Sequence, residues 1–133
     1  MKYLLDTNVC IHALAQSNAR LATRFLAIPT ADKIIGAVVL AELFYGAYKS
    51  QRRAASLLAI ETFLAGYPDL DFDSTAAQIQ GEIRAELERQ GKPIGAYDLQ
   101  IAAIAIANQL TLVTHNTREF SRVPNLLIED WEI

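Results

Sequence analysis

The sequence predicts an α/β fold, a three-layer α/β/α domain around a central parallel sheet of four to five strands. Three observations predict it. Short apolar runs of strand length alternate with longer helical runs along the chain, the pattern of parallel strands joined by helical crossovers. The 133 residues suffice for one substantial core and are too few for two ordinary domains. With 52% hydrophobic and 20% charged residues, the composition is that of a globular chain and not of a disordered one. One domain is expected over 1–133, without linker, repeat or low-complexity segment.

The elements follow in order. KYLLD (2–6) reads as a buried strand, and NVCIHALAQ (8–16) and ARLATRFLAI (19–28) as helices joined near Ser17 and Asn18. KIIGA (33–37) is a second strand and 38–49 a helix. The stretch 52–66 is another helix, closed by Gly66 and then Pro68. DLDF (69–72) is a short strand. A helix over 74–90 is predicted by the apolar stripe Ile79, Ile83 and Leu87, with Thr75 and Gln78 as a capping box and Gly91 as its stop. After a turn at Pro93 and Gly95, residues 98–109 form a helix apolar on nearly every side, hence buried. TLVT (111–114) is a strand, and LLIED (126–130) is the final edge strand.

Several function classes are disfavoured. Cys10 is the only cysteine, so an internal disulfide and a cysteine-built metal site are excluded, and its apolar neighbours make it a small core residue in a chain suited to a reducing cytoplasm. A net charge of −3 and a pI near 5.3 argue against gripping nucleic acid with a broad basic surface, while leaving room for a local basic patch beside clustered acids. The longest apolar runs are too short to span a bilayer, and no basic and apolar leader precedes the first strand.

In parallel sheets, ligands collect beyond the carboxyl ends of the strands. Three such ends carry an acid: Asp6 ends the first strand, Glu42 lies about one turn into the helix after the second, and Asp98 opens the buried helix. After TLVT comes HNTREF, with Asn116 and Glu119. Each has a plain structural alternative. Asp6 can cap the helix that follows, Asp98 can favour a helix N-terminus, Asn116 can be a turn residue and Glu119 a solvated charge. Glu42 sits in VVLAELFYGA and can otherwise only reach Lys49 two turns on or extend to the surface. Taken together the acids demand protons or a cation, since two carboxylates ~4 Å apart repel by roughly 4 kcal/mol at an effective dielectric of ~20. An oxygen-only set suits Mg²⁺ or Mn²⁺ rather than Zn²⁺.

The segments LLDTNVCIHAL, VVLAELFYGAYKS, IRAELERQGKPIGAYDLQIAAIA and LVTHNTREFSRVPNLLIEDW, in this order, cover essentially the whole chain. In them the chain resembles a PIN-domain ribonuclease, and within that family a VapC-type toxin of a bacterial toxin–antitoxin pair. The resemblance implies a parallel sheet flanked by helices and metal-dependent cleavage of RNA. It places the acidic site on Asp6, Glu42 and Asp98. At the fourth position many PIN domains have an Asp two residues after the strand-ending Thr, where this chain has Thr114 and the neutral Asn116. The branch it resembles reads NT-x-E/D-F there, which makes Glu119 the fourth acid and leaves Asn116 as a further candidate ligand. In the implied mechanism these residues hold Mg²⁺ or Mn²⁺, and an activated water attacks phosphorus in line to leave 5′-phosphate and 3′-hydroxyl ends. Toxins of this type cut initiator tRNA in its anticodon loop, where unstacked bases are readable.

Thr114, Arg118 and Lys49 are the expected substrate contacts, with Arg52, Arg53, Arg84 and Lys92 as further phosphate candidates. His12 and His115 are expected to be structural; His115 could touch substrate, but no partner for a Ser/His or Cys/His system is visible. The resemblance further implies a VapB-type antitoxin lying in an apolar groove near Leu14, Phe25, Leu26, Phe44, Tyr45 and Tyr48, with at least half of these aromatics belonging to the ordinary core. It implies homodimers, operator DNA bound only through the antitoxin, no membrane association and a bacterial cytoplasmic location. Two competitors are an aspartyl-phosphate phosphatase built on Asp6 and a non-catalytic partner of the same fold acting in autorepression. The first lacks the usual second Asp two positions on, where Asn8 stands.

Overall fold

A computed structural model describes all residues 1–133. Five strands form one parallel sheet in the order β3-β2-β1-β4-β5: β1 Tyr3–Leu5, β2 Lys33–Gly36, β3 Asp69–Leu70, β4 Thr111–Val113 and β5 Ile128–Glu129. The flanking helices are α1 Thr7–Ala15, α2 Ala19–Ala27, α3 Ala37–Lys49, α4 Arg53–Leu64, α5 Ser74–Arg89, α6 Ala96–Ala107 and α7 Thr117–Phe120. Half of α6, with Leu99 and the run Ile101 to Ala105, is fully buried, in line with its all-round apolar sequence, and α5 packs along it.

The order of the strands decides where a site can form. From β1 the chain winds outward through β2 and β3, then crosses to β4 and β5 on the other side of β1. The winding reverses between β1 and β4, which opens a crevice beyond their carboxyl ends. The register pairs Leu5 with Val113, so Asp6 and Thr114 leave the sheet side by side, and Asp6 N–H still donates to Val113 O at 3.2 Å.

Local chemistry explains the element ends, with two corrections to the sequence reading. The α5 cap is Asp73, whose carboxylate accepts from Ala76 N–H at 2.9 Å; Thr75 lies inside the helix, so the expected capping box does not form. Helix α6 begins at Ala96, two residues before Asp98, which places that acid in the first turn and not at the start. The stop at Gly91 holds: its φ is +69°, and Lys92 N–H donates back to Leu87 O at 2.9 Å. The strands are shorter than read, β3 and β5 having two residues each. Cys10 is a fully buried core residue.

One buried cation went unread. Lys33 is 3% exposed, yet its Nζ donates to Phe25 O at 2.7 Å and lies 3.9 Å from the Phe25 ring centroid. A buried ammonium with one carbonyl and an aromatic face is partly compensated, and burial still lowers its pKa. Phe25 itself stacks on Phe63 and meets Tyr67 edge-on, so it belongs to the core and not to a groove.

Candidate active site

Asp6 is 7% exposed and caps α1, accepting from Val9 N–H at 2.8 Å. The capping role and the site role therefore coincide in one residue. Burial raises its pKa, and the Thr114 hydroxyl and the Val9 N–H work the other way by favouring the anion. Thr114 is wholly buried, and its Oγ1 also accepts from Asn116 N–H at 3.0 Å. Expected as a substrate contact, Thr114 has no surface to offer one; it holds Asp6 and the start of the following loop.

Glu42 is half-buried on α3 and does not reach Lys49. Its Oε1 accepts from the Thr7 hydroxyl at 2.9 Å, so the residue after Asp6 holds the neighbouring acid. Lys49 instead lies with its Nζ 5.5 Å from the ring centroid of Tyr45.

Asp98 is half-buried, and its pKa is pushed up to about 6. Burial is the first cause, followed by the charge and hydrogen bond of Glu119 and then the charges of Asp6 and Glu42. Four acids named from the sequence thus share one electrostatic neighbourhood. Glu119 takes the anionic role within it. Burial works against its charge, but Asn116 Nδ2 donates to Oε2 at 3.0 Å, Gly95 N–H donates to Oε1 at 3.1 Å, and Asp98 and Arg122 add to these, so its pKa falls. Asn116 spends its amide donor on orienting Glu119. Arg118 is exposed beside this loop.

Sequence reasoning missed Thr7, Gln100 and Arg122. Thr7, Asn8, Ile11, Tyr45, Tyr97 and Gln100 line a mostly apolar groove of about 760 Å³ that contains Glu42. Of the residues expected along such a groove, Tyr45 lines it, Leu14 lines an adjoining hollow with Ile11 and Glu42, and Tyr48 and Leu26 are exposed. Phe44 is partly buried against the core. His115 pairs with a carboxylate that the sequence did not announce, its Nδ1 lying 2.9 Å from Asp130 Oδ2.

A parallel sheet with acids gathered at its topological switch point defines a class of protein, and residues 3–126 match the family model of the PIN domain. The chain belongs to the PIN-domain family, in its VapC branch. It is 45% identical to the tRNA(fMet)-specific endonuclease VapC of Shigella flexneri over 98% of both chains, and 39% identical to the ribonuclease VapC2 of Rickettsia felis over 99% of both. The fold matches VapC in a DNA-bound VapBC complex from Salmonella typhimurium with a TM-score of 0.92 at 42% identity, covering 98% of each chain. A VapBC2 complex of Rickettsia felis bound to a promoter fragment matches at 0.90 and 38%, covering 98% of this chain and 99% of that one. No helix is long and apolar enough to cross a membrane.

Proposed function

We propose that the chain is the toxin of a type II toxin–antitoxin pair, an endoribonuclease that uses Mg²⁺ or Mn²⁺ to hydrolyse an RNA phosphodiester in the anticodon loop of initiator tRNA. One observation carries the reading. Beyond β1 and β4, the carboxylates of Glu119, Asp6 and Glu42 all oppose ionisation of Asp98, in a chain 45% identical to a tRNA(fMet)-specific endonuclease.

The donor set fits a hard divalent cation. It is all oxygen, it is open to the groove at Glu42, and the raised pKa of Asp98 marks charge that no protein cation neutralises. Asp6, Glu42 and Asp98 would hold the ion, with Glu119 as the fourth acid and Asn116 as its support. An ion bound there supplies acidification of water and charge neutralisation at a phosphodiester. The chain's own residues set the geometry. Thr114 and Val9 fix Asp6, Thr7 fixes Glu42, and Asn116 and Gly95 fix Glu119. Arg118 and Lys49, both exposed, would hold flanking phosphates, and Tyr97 and Tyr45 in the groove would offer rings to unstacked bases.

The apolar groove is the seat of a VapB-type antitoxin segment, and operator DNA is bound through that partner in a homodimeric assembly; the similar structures include VapBC complexes bound to DNA. The protein then works in the bacterial cytoplasm, where its RNA is. Cleavage of end-labelled total tRNA by the partner-free chain tests the reading. We expect one discrete cut that needs Mg²⁺ or Mn²⁺, is removed by EDTA and is absent with Asp6→Asn. An equal cut by folded Asp6→Asn would refute it.

A further inference from the structure

A second cluster lies beyond the ends of β4 and β5. Ligand atoms of His115, Asp130 and Glu132 all lie within 4.8 Å of one another. The two acids are not solvated tail charges: the Asp130 side chain is 9% exposed and that of Glu132 is 8% exposed. Asp130 Oδ2 meets His115 Nδ1 at 2.9 Å, and its Oδ1 accepts from Glu132 N–H at 2.9 Å. Glu132 Oε1 meets His12 Nδ1 at 3.2 Å, while its Oε2 is buried without any hydrogen-bond partner. A buried carboxylate oxygen left without a donor is costly, and it belongs to a side chain grouped with a histidine and a second carboxylate. The nuclease reading uses none of these four side chains.

We propose that His115, Asp130 and Glu132, with His12 beside Glu132, form a second divalent-cation site of transition-ion character. Imidazole with two carboxylates is the donor set of Zn²⁺, Co²⁺ and Ni²⁺, whereas the oxygen-only pocket suits Mg²⁺ and Mn²⁺. The two carboxylates offset the ion's charge, and the Glu132 N–H already orients Asp130 as an outer partner would. Ligands up to 4.8 Å apart must draw together, since donors 2.0–2.2 Å from a tetrahedral ion stand roughly 3.4 Å apart. The exposed His115 side chain can make that movement. Such an ion ties the C-terminal segment to α1 and to the loop that carries Asn116 and Glu119. The cluster lies within reach of the charge on Asp6, which Glu132 and His12 both influence, but it shares no ligand with the acidic pocket, so its test does not depend on cleavage.

Trp131, the only tryptophan, lies between two of the ligands and reports on the site. The test titrates tag-free full-length chain with Co²⁺ in excess Mg²⁺, following Trp131 fluorescence and the visible cobalt bands. We expect saturable quenching by one Co²⁺ per chain, competed by Zn²⁺. His115→Ala removes an exposed ring, and Glu132→Gln keeps the shape of its side chain. Each should raise the Co²⁺ midpoint at least tenfold with unchanged circular dichroism, whereas Glu42→Gln should leave it where it is. Absent quenching, quenching unchanged in both folded variants, or quenching lost only in Glu42→Gln would each overturn the proposal.

Discussion

Asp98 keeps its proton to about pH 6 because burial and then the neighbouring carboxylates of Glu119, Asp6 and Glu42 oppose its charge. Between its ordinary value of 3.8 and about 6 the folded state binds more protons than the unfolded one, so stability falls as pH rises through that window. Asp98→Asn should therefore stabilise the metal-free chain at pH 7.5. Its half-exposed setting and solvent screening hold the gain to about 1 kcal/mol, read by urea unfolding in EDTA. Added Mg²⁺ should stabilise the wild type and leave the variant little changed. A destabilised acid at a functional site is the usual cost of assembling like charges. Asn116 belongs at the same scale. Its amide holds Glu119, so Asn116→Ala should slow cleavage about tenfold with the fold intact, the order of loss expected when an outer partner of a metal ligand is removed. Single-turnover rates decide this. Asp6, Glu42 and Asp98 were legible because each acid is anomalous beside its strand end or apolar run. Thr7, Arg122 and the Asp130–His115 pair were not, because their meaning lies in contacts between residues far apart in the chain.

The elements were legible to the extent that they carry a period. The stripe at Ile79, Ile83 and Leu87 gives α5 within a residue of its bounds, and the all-apolar run gives the buried α6. Their starts were less legible, because a cap is chosen by backbone geometry among several side chains able to serve. Asp73, Ser74 and Thr75 could all cap α5, and Asp73 is the one whose extended backbone aims its carboxylate at a free N–H. Asp73→Ala should cost about 1 kcal/mol in urea unfolding, with Thr75→Ala near neutral. The opposite ranking would restore the capping box. At β3 and β5, two-residue strands leave no room for a period, so only their flanking turns announce them.

At the scale of the molecule, the strand order creates the site. Parallel winding outward on both sides of β1 and β4 sends every loop after a strand to one edge, and the acids arrive there from β1, α3, α6 and α7. The same edge opens the groove beside Glu42, where Tyr45 is 65% exposed. An exposed aromatic in an apolar groove is the kind of anchor that dominates an interface. Tyr45→Ala should weaken the complex with the cognate antitoxin about 30-fold, or ~2 kcal/mol, measured by calorimetry. The net charge of −3 predicts that RNA binding rests on few phosphate contacts and so has a shallow salt dependence.

If one ion-holding acid set at this edge performs the cleavage, the loss of any of its carboxylates must stop it. Single-turnover cleavage of the RNA, with Mg²⁺ titrated against the wild type, Asp6→Asn, Glu42→Gln and Asp98→Asn, tests it most directly. We expect a loss of at least about 100-fold in each folded variant, the scale on which charge stabilisation at a reacting centre is felt. Wild-type rates in any one of the three, or full activity in EDTA, would contradict it.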